Sequence, residues 1–225
     1  MRPFPDEKAA KPFLGSRFHP IVGGLPLSCM DSTRLAVGRP VAHEKPMFSL
    51  LRPLLFRLDP ERAHEWTLAL LERLPAPALD QFDAVLETRF AGLRLPSPIG
   101  LAAGFDKDAR VWRRMLGFGF GFAEVGTLTP RPQAGNPRPR IFRLEEDRAV
   151  INRLGFNNGG LAAALPRIEA HPRLGVNVGA NKDSEDRIAD YVAGVRAVRD
   201  RAAWITLNIS SPNTPGLRGL QGVAL

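Results

Sequence analysis

The sequence predicts an α/β protein built on parallel strands, of the barrel kind. Apolar, strand-like runs alternate with helical stretches, the arithmetic of repeated β-α units. Each polar cluster, rich in Asn, Ser, Thr and Gly, follows one of those strands or a hairpin, where α/β folds build their sites. No G-x-G-x-x-G lies between a strand and a helix with an acid about 20 residues on, which disfavours a dinucleotide fold. The Gly-Phe alternation over residues 117–122 leads into a strand instead.

Composition narrows the class. The 225 residues, 44% hydrophobic, suit one large globular domain or two small ones. No run of 18 uncharged apolar residues occurs, so no spanning helix is expected. The single cysteine, Cys29, excludes an internal disulfide framework and a cysteine metal cluster. A net charge of +8 raises nucleic acid or an anionic membrane surface as partners. The arginines are scattered with no basic block, which argues against nucleic acid. Only five of the 31 basic residues are lysines, and beyond Lys45 only Lys107 and Lys182 remain, both in strand-to-helix turns. A compact ammonium is needed there that a guanidinium fork does not replace. All eight asparagines fall between Asn136 and Asn213.

Residues 1–46 carry seven prolines and no periodicity, and read as a disordered tail or a mis-assigned start ahead of Met47. Phe48, Leu51, Leu55 and Leu58 then recur at helical spacing. Asp59 caps a second helix with Pro60 first in it, Ala63, Trp66, Leu70, Leu71 and Leu74 form its stripe, and Pro75 stops it. Two short strands flank Pro96-Ser97-Pro98, the second over residues 99–103, and a helix runs from about Ala109 to Leu116. Residues 122–127 form the next buried strand, 129–139 a proline-rich loop, and 141–144 with 149–151 a hairpin. The Asn152–Gly160 cluster leads into a helix ending near His171. Residues 174–179 are a core strand, Ser184 caps the helix beyond, and Ile188, Tyr191, Val192, Val195 and Val198 form its buried face. The strand opening at Trp204 ends in Asn208-Ile209-Ser210-Ser211-Pro212-Asn213.

Strand ends thus deliver Lys107, Thr127, Asn177, Asn208 and Ser211, with Asn152 from the hairpin. Converging at one mouth, they make a mostly neutral, donor-rich pocket suited to a planar ligand such as a flavin or a pyrimidine. The four histidines lie far from these loops in sequence and no His-His-carboxylate set exists, so metal catalysis is not expected. Serine is a weak base, so Ser211 in that role demands an activated C–H.

Five segments in order, 103–107, 126–130, 152–157, 179–182 and 208–214, resemble quinone-dependent (class 2) dihydroorotate dehydrogenases, and the likeness runs from about Met47 to Leu225. It implies a (β/α)8 barrel of the FMN oxidoreductase type, with a helical membrane and quinone hood over residues 47–90 and the first half of the catalytic barrel over 91–225. It implies FMN-dependent oxidation of dihydroorotate to orotate in pyrimidine biosynthesis, with a membrane quinone as acceptor and a peripheral place on the inner (cytoplasmic) membrane. By resemblance, Ser211 takes the C5 proton while hydride passes from C6 to the flavin. FMN contacts Ala103, Gly104, Phe105, Asp106, Lys107, Thr127, Asn177 and Asn208. The substrate contacts Lys107, Asn152, Arg153, Leu154, Gly155, Phe156, Asn208 and Asn213. His64 and Arg143 fall where the family lines its quinone tunnel, although a surface or capping role suits His64 equally. Lys182 is read as positioning the Asn181 loop. Class 1 relatives use cysteine as base, and no cysteine follows Cys29. A full barrel needs about eight strands and 250 residues, and four strands are legible here. Weak or no FMN binding is therefore expected of the chain alone, and the alternatives are another FMN barrel oxidoreductase or a non-catalytic remnant.

Overall fold

A computed structural model describes residues 46–75, 82–209 and 217. Cys29, Ser211 and Asn213 lie outside them, as does the segment 1–45. The first elements are helices α1 (Pro46–Arg57) and α2 (Pro60–Arg73). Helix α2 starts as its sequence dictates: the Asp59 carboxylate accepts from the amides of Glu61 at 3.1 Å and Arg62 at 3.0 Å, and Pro60 opens the helix. Its expected stripe divides, however. Ala63 and Leu68 are buried and Leu71 packs beside Val111 and Met115, whereas Trp66, Leu70 and Leu74 are exposed. The docked face follows Glu61, His64, Leu68 and Glu72, three or four residues apart, and polar anchors on it are invisible to an apolar count.

Strands β1 (Thr88–Phe90) and β2 (Leu93–Leu95) form an antiparallel hairpin, of which only the second strand was expected. Then come β3 (Gly100–Leu101), α3 (Trp112–Gly117), β4 (Phe122–Leu128) and the hairpin β5 (Ile141–Leu144) with β6 (Ala149–Asn152). Helix α3 begins later than the apolar spacing suggests, because Ala109 has φ 56°, outside the helical region. After α4 (Leu161–Ala164) a 3₁₀ turn ends at Arg167, and β7 (His171–Val178) starts where the sequence suggested a helix end. Helix α5 (Arg187–Val198) is capped by Asp186, which accepts from the Ala189 amide at 2.9 Å, so Ser184 is not the cap. Strand β8 (Ala202–Leu207) follows.

Four strands make one parallel sheet in the order β3-β4-β7-β8. Its two faces differ. Ala123 and Val125, Leu174, Val176 and Val178 join Trp112, Leu116, Tyr191 and Val198 in the aliphatic core. On the opposite face, Glu124, Asn177, Trp204 and Thr206 bond to one another. Here the Trp204 ring lies over Gly175, where an added Cβ would stand 2.1 Å from Trp204 Cε2. On α5, Tyr191 and Val198 are buried but Ile188 and Val192 are exposed, because the sheet covers only one flank of that helix.

Candidate active site at the strand ends

The first wall is the turn after β3. The Gly104 amide donates to the Gly126 carbonyl at 2.8 Å and the Gly126 amide to the Asp106 carbonyl at 3.0 Å, stapling this turn to β4. Gly126 has φ 110°, and an added Cβ would lie 2.4 Å from the Asn177 carbonyl oxygen, so only glycine fits. The fully buried Asp106 carboxylate faces away, accepting from the amides of Arg110 and Val111 at 2.7 Å each. Burial pushes its pKa up against those hydrogen bonds. Asp106 therefore holds the turn through its carboxylate and carbonyl. Lys107 points into the site, and burial lowers its pKa while Glu65 and Glu61 oppose the fall.

The second wall runs from Asn152 to Asn158. Asn158 holds it to the loop after β4: its Nδ2 donates to Thr129 Oγ1 at 2.9 Å and to the Phe156 carbonyl at 2.7 Å, and its Oδ1 accepts from the Gly160 amide at 2.8 Å. Phe156 adopts φ 56°, unusual for a bulky side chain, and Gln133 Nε2 holds the preceding Gly155 carbonyl at 2.9 Å.

The floor is a polar chain across three strand ends. Thr127 Oγ1 donates to Asn177 Oδ1 at 2.6 Å, and Asn208 Nδ2 donates to Thr127 Oγ1 at 3.0 Å and to Asn177 Oδ1 at 3.3 Å. The Tyr191 hydroxyl donates to the Asn208 carbonyl at 2.8 Å, fixing that backbone.

Together these walls enclose a pocket of about 360 Å3 lined by Ala103, Gly104, Lys107, Thr127, Asn152, Leu154, Gly155, Phe156, Asn157 and Asn208. The structure thus gathers nine of the expected residues. Phe105, Asp106, Asn177 and Arg153 do not line it. Asn177 acts from beneath, and the Arg153 guanidinium turns out to the Pro139 carbonyl, with Nη2 at 2.9 Å. Lys107 is the only ammonium among the described lining residues. Lys182 sits instead beside Asn181 on a separate groove, its amide donating to Gln133 Oε1 at 2.7 Å. Asn181 is the residue that ties that groove together, accepting from the Arg131 amide at 3.0 Å.

The sequence separated His64 from these loops, but folding joins them. His64 Nε2 bonds the Phe105 carbonyl at 2.7 Å and the two rings meet edge to face, so it is neither a free surface group nor a cap. Burial, then the Lys107 charge, lowers its pKa. Arg143 Nη1 donates to the Leu58 carbonyl at 2.9 Å and its guanidinium lies 4.7 Å over the Phe56 ring, capping α1. Sequence reasoning passed over Glu124, a lone acid inside an apolar strand, and Asn157, which sits at the end of a motif already singled out. It also missed Glu61, whose carboxylate pairs with Arg140 at 2.5 Å and Arg138 at 3.0 Å.

A parallel α/β sheet with a mostly neutral, donor-rich pocket at its strand ends places the chain in the α/β-barrel class. Residues 85–224 match the family model described as dihydroorotate dehydrogenase. The chain belongs to the dihydroorotate dehydrogenase family. It is 56% identical over 179 residues to a dihydroorotate dehydrogenase (quinone) of Erythrobacter litoralis, covering 78% of this chain and 52% of that one. To the protein of the same name from Sphingopyxis alaskensis it is 59% identical over 180 residues, covering 77% and 51%. A crystal structure of the Eimeria tenella enzyme in complex with ferulenol superposes with a TM-score of 0.68 at 44% identity, covering 75% of this chain and 50% of that one. The chain therefore spans about half the length of these relatives, and its four-stranded sheet corresponds to part of an α/β barrel.

Proposed function

We propose that this chain supplies one half of the site of a dihydroorotate dehydrogenase that uses FMN and a membrane quinone. The observation that carries this reading is the convergence of Lys107, Thr127, Asn152, the Leu154–Phe156 turn and Asn208 on one pocket. The donor set fits a flavin: backbone of Ala103 and Gly104 lies open for close approach, and neutral hydroxyl and amide groups face a planar edge. FMN, when bound, accepts a hydride equivalent from the substrate and passes the electrons to a quinone. Lys107 offsets the anionic charge of dihydroorotate or orotate, and Asn152 and Asn208 orient the ring by hydrogen bonds. Asn213 adds a further substrate contact, and Ser211 takes the C5 proton; both follow from the family motif.

Residues 47–90 act as the hood in this proposal. Leu54, Trp66, Leu70 and Leu74 give it exposed apolar surface, and no helix among the described residues is long and apolar enough to cross a membrane. That pattern suits peripheral attachment to the cytoplasmic face of the inner membrane. His64 and Arg143, where the hood meets the barrel, border the quinone path.

The test joins this chain to the remaining strands of the Sphingopyxis alaskensis relative. FMN retention and orotate formation with a soluble quinone are then measured. Activity that falls at least about 100-fold in Lys107→Met, as loss of a charged contact made at the reacting ring predicts, supports the reading. A folded, FMN-loaded fusion that leaves dihydroorotate unchanged overturns it.

A further inference from the structure

The pocket floor rests on a carboxylate that does not line the pocket. Glu124 Oε2 accepts from Trp204 Nε1 at 2.9 Å and from Thr206 Oγ1 at 3.1 Å, while Oε1 accepts from Asn177 Nδ2 at 2.8 Å. A carboxylate of this kind offers no hydrogen to share. The Asn177 amide is therefore held with its nitrogen down toward Glu124 and its oxygen up. That oxygen accepts from Thr127 Oγ1 at 2.6 Å and from Asn208 Nδ2 at 3.3 Å. The Thr127 hydroxyl has one hydrogen, and it is committed to Asn177. Its oxygen also accepts from Asn208 Nδ2 at 3.0 Å. Orientation thus passes from one acid, through Asn177, to Thr127 and Asn208, the two floor residues that face the pocket.

We propose that Glu124 is a positioning residue that sets the hydrogen-bond polarity of the pocket floor. It leaves Thr127 with a lone pair rather than a hydrogen to present, so the floor receives an N–H edge of a planar heterocycle. Taking that heterocycle to be a flavin rests on the proposed function; the polarity itself does not.

Glu124→Gln tests this with almost no change of shape. The Gln oxygen stays with the Trp204 and Thr206 donors, so its NH2 faces Asn177 Nδ2. Two donors cannot share one bond, and the Asn177 amide must turn over, reversing Thr127 and Asn208 in sequence. Adding Asn177→Asp puts an acceptor-only group above that NH2 and restores the original direction.

The first readout is side-chain amide NMR of the chain without flavin. In the native chain, nuclear Overhauser contacts should link the Asn177 amide hydrogens to the Glu124 side chain. In Glu124→Gln they should move to the Thr127 side chain and the Asn208 amide signals should shift. In the double variant the Asn208 signals should return. Unchanged Asn177 and Asn208 signals in folded Glu124→Gln overturn the proposal. Should Glu124→Gln fail to fold, a folded double variant with native Asn208 signals supports it, and an unfolded double variant overturns it. The second readout is FMN titration by fluorescence, with the same variants made in the fusion to the remaining strands of the Sphingopyxis alaskensis relative. Glu124→Gln should weaken binding at least about tenfold, with recovery to within about threefold in the double variant, the scale of one misdirected hydrogen bond. The expected amide pattern with no FMN binding by the native fusion refutes the flavin reading and supports the role of Glu124. A turned Asn177 amide with equal FMN affinity in all three proteins overturns the selection of an N–H edge.

Discussion

Gly126 and Asn177 illustrate how single positions carry the site. Gly126→Ala would force a side chain into positive φ and against the Asn177 carbonyl, at a cost of about 1–3 kcal/mol from backbone conformation alone. The expected outcome is a lower midpoint in urea unfolding with an unchanged slope. Which residues belong to the pocket was largely legible, because Asn, Thr and Lys at the ends of apolar runs have few structural reasons to be there. How each residue serves was less so. Asp106 shares a motif with pocket-lining Gly104 and Lys107, and Asn177 stands near a strand end as Thr127 does, yet one faces amides of the following turn and the other lies beneath the floor. Side-chain direction at a turn depends on backbone angles that a motif does not display. Asn157 lay within the 152–157 motif and was passed over because the substrate contacts that the resemblance implies stop at Phe156.

At the scale of elements, the joint between α2 and the barrel is polar. Glu61 is held by Arg140 and Arg138, and Glu72 pairs with Arg110 Nε at 2.7 Å. Arg140 is only 5% exposed, so Glu61→Ala leaves a buried guanidinium without its carboxylate. Breaking such a pair costs about 3–5 kcal/mol, measurable by thermal or urea unfolding. The hydrogen bond from Arg140, aided by Arg138, holds the Glu61 pKa at about 2 against burial. A carboxyl depressed on folding stabilises the native state above its unfolded value near 4.5, and this contribution fades as the pH falls toward 2. A pH series of unfolding midpoints should show this loss in the native chain and a shallower one in Glu61→Gln. None of this joint was legible beforehand. Glu61 and Arg140 are 79 residues apart, and a first-turn Glu has a sufficient local explanation in the helix dipole. The same distance hid the bond between His64 and Phe105.

Across the whole molecule, the alternation of strand and helix was legible because its period depends on local chain geometry. The β1–β2 hairpin and the long start of β7 were not, since short exposed strands carry little apolar signal. The exposed flank of α5 departs from expectation for a reason of size: Ile188, Val192 and Leu207 stand open beside the edge strand β8. Among the described residues β8 pairs only with β7, and apolar surface along such an edge favours self-association. Light scattering should accordingly show less association for Val192→Lys with Leu207→Lys than for the native chain. The polar face of the sheet bears on how the strands find one another. A one-residue slip between β4 and β7 would bring every side chain of one strand to the wrong face. Glu124 would then meet the aliphatic layer and lose Asn177, Trp204 and Thr206 together, with a charge buried and unpaired. The carboxylate therefore works as a registration mark: a mispaired sheet cannot close its aliphatic layer without burying an acid stripped of its partners.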